Sequence, residues 1–180
     1  MRMKASASIV LAVDLQSRLL PVIDGGDAVL GHAVWMVELA RSLGVPVLAT
    51  EQYPQGLGPT VPALRARLGD APVLEKIHFS ALADDSWRQQ PETARPQWIV
   101  IGTEAHVCVQ QTVFDLLAAG REVFIVEEAV GSRTPRDKAL ALERMRQHGA
   151  EIVSREMVAF EWLERADDPR FREVLKRFIR

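Results

Sequence analysis

Six short apolar runs, rich in β-branched residues and separated by longer amphipathic stretches, limit this chain's fold more than any other feature. They read SIVLAV up to Asp14, VPVLAT up to Thr50, APVLEK up to Lys76, QWIVIGT up to Thr103, REVFIVEEA to near Glu127 and AEIVS to near Ser154. None alternates apolar with polar, so each reads as a strand covered on both faces. Between them lie helical patterns. DAVLGHAVWMVELARSLG opens with Asp27 as a capping residue and stops at Gly44. HVCVQQTVFDLLAAG places Val109, Val113, Leu116 and Leu117 on one face and stops at Gly120. PRDKALALERMRQHG runs from Pro135 to Gly149, proline at the start and glycine past the end. DDPRFREVLKRFIR reads as a C-terminal helix. Strand–helix alternation of this kind predicts an α/β protein with a parallel sheet between helical layers. With 180 residues, one domain over 1–180 is expected, long enough to bury a core without staples.

Charge and composition remove several function classes. A net charge of -2 gives no electrostatic reason to expect nucleic acid or an anionic membrane as partner. No apolar segment approaches the roughly 20 residues of a membrane span. The basic start followed by an apolar run, MRMKASASIVLAVDLQ, reaches Asp14 without a cleavage site and reads as the first strand, so a cytoplasmic protein is expected. A single cysteine excludes an intrachain disulfide.

Two long connections, EQYPQGLGPTVPALRARLG and IHFSALADDSWRQQPETARP, leave the carboxyl ends of the second and third strands. Ligands bind at that rim in open α/β sheets. The first connection carries neither a dinucleotide nor a P-loop fingerprint, and no cofactor is expected. Asp14, Lys76 and the Cys108 segment follow the first, third and fourth strands, and a strand order that reverses between strands one and four brings all three together. A thiol at the start of a helix beside a lysine can ionise, a neighbouring aspartate can take its proton, and free N–H groups of the turn can hold an oxyanion. Each residue has a plainer reading as well: a lone cysteine as packing, an aspartate as a turn cap, a lysine as a solvated charge.

Three stretches in order, VDLQ, EKIHFSAL and GTEAHVCVQQTVFDLLAAGREVFIVEEA, make the chain resemble the isochorismatase-like hydrolase superfamily from about Ser8 to Phe160. With TEQYPQGLGPTVPAL, they look most like the isochorismatase-domain-containing proteins. The resemblance implies a three-layer fold with six parallel strands in the order 3-2-1-4-5-6, and a catalytic triad of Asp14, Lys76 and Cys108. It also implies a cis peptide between Thr103 and Glu104, an oxyanion hole from the Glu104 and Cys108 N–H groups, and a polar Gln16 orienting Asp14 or the substrate. Tyr53, Phe79, Trp87 and His106 are candidate pocket residues. Arg133 and Thr134 read as solvated loop residues at the same rim.

Departures from the family matter equally. The metal pair that nicotinamidases carry after strand two is replaced by Glu51-Gln52-Tyr53, and His32, His78, His106 and His148 lack ligand spacing, so no metal is expected. A cysteine nucleophile is foreign to true isochorismatases. The expectation is a cysteine hydrolase of a small amide-like C–N bond that forms homo-oligomers, dimer or tetramer, because the C-terminal segment is rich in large hydrophobes. The rival is a non-catalytic interaction or redox-responsive protein on the same fold. An open, exposed Cys108 favours the enzyme, and a sealed one favours the rival.

Overall fold

The computed structural model describes residues 1–180. The strands are β1 (Ser8–Val13), β2 (Val47–Gln52), β3 (Val73–Lys76), β4 (Gln97–Thr103), β5 (Glu122–Gly131) and β6 (Glu151–Val153). The helices are α1 (Gly26–Ser42), α2 (Pro54–Leu57), α3 (Pro62–Leu68), α4 (Gln110–Ala118), α5 (Pro135–Gln147), α6 (Arg155–Leu163) and α7 (Phe171–Val174). All strands are parallel, in the order β3-β2-β1-β4-β5-β6. The reversal expected from sequence therefore falls between β1 and β4.

The unbroken apolarity of the strands has its cause in the packing. Along β1, Val10 and Ala12 join a core with Met36 of α1, Leu64 of α3 and Trp162 of α6. Ile9, Leu11 and Val13 join a second core with Val113 and Leu116 of α4 and Met145 of α5. Successive side chains point to opposite faces of a strand, so two cores require apolar residues at every position. The Val109, Val113 and Leu116 face of the fourth helix is fully buried as its spacing implies, while Leu117 is half-buried.

Two local readings are corrected. Asp27 does not cap α1: Gly25 holds that position at φ +63°, and Asp27 sits inside the first turn. There its carboxylate still favours the positive end of the helix dipole. The C-terminal segment is not one helix but α6, a short α7 and a π turn over Leu175–Ile179. Its large hydrophobes are used inside the chain, since Val158, Trp162, Val174 and Phe178 belong to the α1-side core. Trp162 Nε1 donates to Ser8 Oγ at 3.0 Å, and Trp35 Nε1 to the Phe178 carbonyl at 2.9 Å. The feature that suggested oligomers is thus largely consumed by folding. No helix is long and apolar enough to cross a membrane.

Candidate active site

The carboxyl ends of β1, β2, β3 and β4 converge on Asp14. Its side chain is wholly buried, and its backbone takes φ +48°, a region that few non-glycine residues occupy. Lys76, the last residue of β3, donates to Asp14 Oδ2 at 2.7 Å, with its own side chain only 4% exposed. Thr50, ending its run on β2, donates to Asp14 Oδ1 at 2.7 Å. Thr103, at the end of β4, donates to the Asp14 carbonyl at 2.8 Å. Every acceptor of this buried residue that the ion pair leaves free is therefore engaged, as burial of a charge demands.

Lys76 is held from several sides. Its ammonium also donates to Gln52 Oε1 at 2.7 Å, the Phe79 carbonyl at 2.9 Å and, more weakly, the His78 carbonyl at 3.4 Å. Gln52 is fixed in turn: its amide nitrogen donates to the Ile77 carbonyl, and its backbone N–H donates to Gln16 Oε1 at 2.8 Å. Gln16 spends its own amide nitrogen on the carbonyls of Gln52 and Gly58, at 3.0 and 2.7 Å. Gln16 is thus a fully buried strut between loops whose hydrogen bonds go to Gln52 and Gly58 rather than to Asp14.

Cys108 lies in a π turn over Ala105–Val109 that precedes α4, rather than in the first turn of the α-helix. The Thr103–Glu104 peptide is cis. Neither the Glu104 nor the Cys108 N–H donates to any group outside the turn. The thiol is 5% exposed and is pushed up to about 12. Burial is the main cause; the Asp14 carboxylate adds to it, and Lys76 opposes it. Both charged groups therefore act directly on the sulfur, yet the resting group is a neutral thiol. Lys76 thus favours the thiolate in direction, as expected, but burial outweighs it.

Gly102 makes this assembly possible. At φ +120° it lets β4 lie against β1 so closely that a Cβ there would meet the Val13 carbonyl oxygen at 2.0 Å. The β4–β5 register shifts at the same point.

The remaining candidates scatter. His106 is half-buried, with Nδ1 2.9 Å from Ser132 Oγ. Glu104 pairs its carboxylate with Arg133 at 3.1 Å, and Arg133 itself stays exposed, as a solvated rim residue would. Tyr53 and Phe79 are half exposed at the rim, and the Tyr53 ring rests over Gly56. Trp87 is not a wall of this site. It is 3% exposed and packs edge-on against Trp98, the second residue of β4, at the other end of the sheet. A strand rises about 3.3 Å per residue, so β4 separates the two by most of its length.

Thr50, Gln52 and Thr103 were not singled out from sequence. A signal existed for both threonines, since the second and fourth apolar runs end on them. Lys76 also borders a cavity of about 390 Å³ with Pro54, Gln55, His78 and Asp84. A larger cavity, about 670 Å³, lies between the loop after β1 and the start of α1, and none of Asp14, Lys76 or Cys108 lines it. Chemistry, not size, selects the site. No three His, Cys, Asp or Glu side chains converge as a metal-ligand group.

The isochorismatase domain model matches residues 8–157. Isochorismatase domain-containing protein 2 of Danio rerio is 36% identical over 176 residues, 97% of this chain and 88% of that protein. The solved structure described as Mar1 ribonuclease from Caenorhabditis elegans superposes with a TM-score of 0.92 at 34% identity, covering 98% of this chain and 91% of that one. The YcaC gene product of Escherichia coli, described as an octameric hydrolase of unknown specificity, superposes at 0.91 with 26% identity, covering 99% and 91%. The chain belongs to the isochorismatase domain family of hydrolases.

Proposed function

We propose that this protein hydrolyses a small amide-like C–N bond through a thioester on Cys108. The observation that carries the reading is the juxtaposition of one thiol with a buried carboxylate and a buried ammonium. Asp14 accepts the Cys108 proton as the sulfur attacks the substrate carbonyl carbon. The Glu104 and Cys108 N–H groups hold the resulting oxyanion. Collapse breaks the C–N bond, and the amine departs with the proton from Asp14. A water molecule, giving its proton to Asp14, then attacks the thioester. The carboxylic product leaves, and the sulfur regains the proton. Because the resting thiol is neutral, proton removal accompanies attack. Lys76, 2.7 Å from Asp14 Oδ2, holds that carboxylate in place for it.

A non-catalytic role finds one point in its favour, the near burial of Cys108. The ion pair weighs against it. Placing Asp14 and Lys76 in a dry site costs solvation that apolar residues of similar volume avoid, so stability alone gives no reason for the pair. The ribonuclease description belongs to the Caenorhabditis relative, and the net charge of -2 of this chain gives no electrostatic reason to carry it over. Purified protein is screened against small amides, ureides and carbamoyl compounds. Cys108→Ala is expected to lower turnover of any substrate found by at least about a thousandfold, in line with loss of a nucleophile. An unchanged rate refutes the assignment. The octameric relative further supports self-association of this chain.

A further inference from the structure

Lys76 owes two of its oxygen partners to the loop that follows it, the carbonyls of His78 and Phe79. That loop leaves β3, a four-residue edge strand, and has no regular structure of its own over 77–84. It is anchored on α4. The Ala81 N–H donates to Thr112 Oγ1 at 2.9 Å, and Ser80 Oγ donates to Asp115 Oδ2 at 2.5 Å. Ser80 Oγ also accepts from the Leu82 N–H at 3.2 Å, closing the turn. Ser80 and Thr112 are buried, and Ala81 packs in the same apolar core as Cys108 and Val109.

Asp115 follows Thr112 by three residues within α4, a spacing that shares a helix face, and Cys108 lies in the π turn that runs directly into α4. One continuous helical segment thus carries the thiol and, further on, the two side chains that anchor the loop. We propose that Thr112 and Asp115 are positioning residues that tie the Lys76 ammonium to the helix bearing Cys108. They set the distance between cation and sulfur while touching neither. The inference rests on the reading of Cys108 and Lys76 given above and adds the coupling between them.

The test uses the fact that Cys108 is the only thiol. Its alkylation by iodoacetamide is followed by intact mass across pH 7–11 in the wild type, Thr112→Val, Thr112→Ser and Asp115→Ala. Asp14 and Lys76 are the charged groups acting on the sulfur, and Lys76 is the one that favours the thiolate. Releasing the loop moves Lys76 away, so the alkylation profile shifts to higher pH. The rate at pH 8 falls about tenfold for each pH unit of that shift in Thr112→Val. Thr112→Ser, which keeps the acceptor, restores the wild-type profile. Asp115→Ala, at an exposed position, shifts it in the same direction by a smaller amount. Superimposable profiles for folded Thr112→Val and Asp115→Ala overturn the proposal, as does failure of the serine variant to restore the profile. Failure of the hydrolase reading has a separate signature: unchanged turnover in Cys108→Ala, whatever the alkylation profiles show.

Discussion

A thiol held at about 12 inside the protein ties stability to pH. The unfolded chain loses its thiol proton near pH 8.5–9, whereas the folded protein keeps it until about 12. Between those values the native state binds more protons than the unfolded one, so stability falls as pH rises. The contribution is complete below about pH 8.5 and is lost progressively toward pH 12. Cys108→Ala removes this dependence. Urea unfolding of wild type and variant at pH 8 and pH 10.5 should show the wild type losing more stability between the two; parallel losses would refute the burial of a neutral thiol.

The Asp14–Lys76 pair makes a second residue-level prediction. Removing either partner strands a buried charge, so Asp14→Ala and Lys76→Ala should each cost about 3–5 kcal/mol. The double variant should cost much less than their sum, which a double-mutant cycle by denaturant unfolding measures. Additive losses would mean that the charges do not meet. Both residues were visible in sequence because they end apolar runs. Their supports, Gln52 above all, were not: an amide beside a strand end has many possible partners, and only the tertiary arrangement selects Lys76.

Among elements, the strands were the most legible part, because burial on both faces leaves a run of apolar residues with no gaps. The turn at Cys108 was less legible. A π turn and an α turn place apolar residues similarly over five positions, so the pattern around Val109 cannot tell them apart. Trp87 was misplaced because it follows Lys76 by only eleven residues; the chain has by then run back toward the start of β4. Gly102 shows how much one position within an element can decide. Gly102→Ala puts a methyl group 2.0 Å from a backbone oxygen of β1, at a φ that alanine avoids. The expected cost exceeds about 3 kcal/mol, because two central strands must separate. A thermal midpoint within a few degrees of wild type would show that β1 and β4 yield more easily than this packing implies.

For the whole molecule, the family and sheet order were within reach of sequence, whereas the fate of the C-terminal hydrophobes was not. Periodicity shows that a face is apolar but not which surface covers it. Here α1 and the N-terminal strand cover it. Those hydrophobes therefore offer no face for a second copy, whereas Tyr53, Ile77 and Phe79 stay exposed. Light scattering at micromolar concentration is expected to give a multiple of the 20.1 kDa chain, and a clean monomer would refute it.

The sheet order also bears on how the protein comes into being. β1, β2 and β3 are neighbours in space and the first three strands to be synthesised, whereas the other flank of β1 waits for β4, with Ser8 facing Gln97. At about 5–20 residues per second, the nascent chain spends several seconds with that flank of its most central strand open. Asp14 and Lys76 belong to the earlier half and Cys108 to the later one. The order of synthesis thus puts the carboxylate and the ammonium on the chain before the Cys108 thiol.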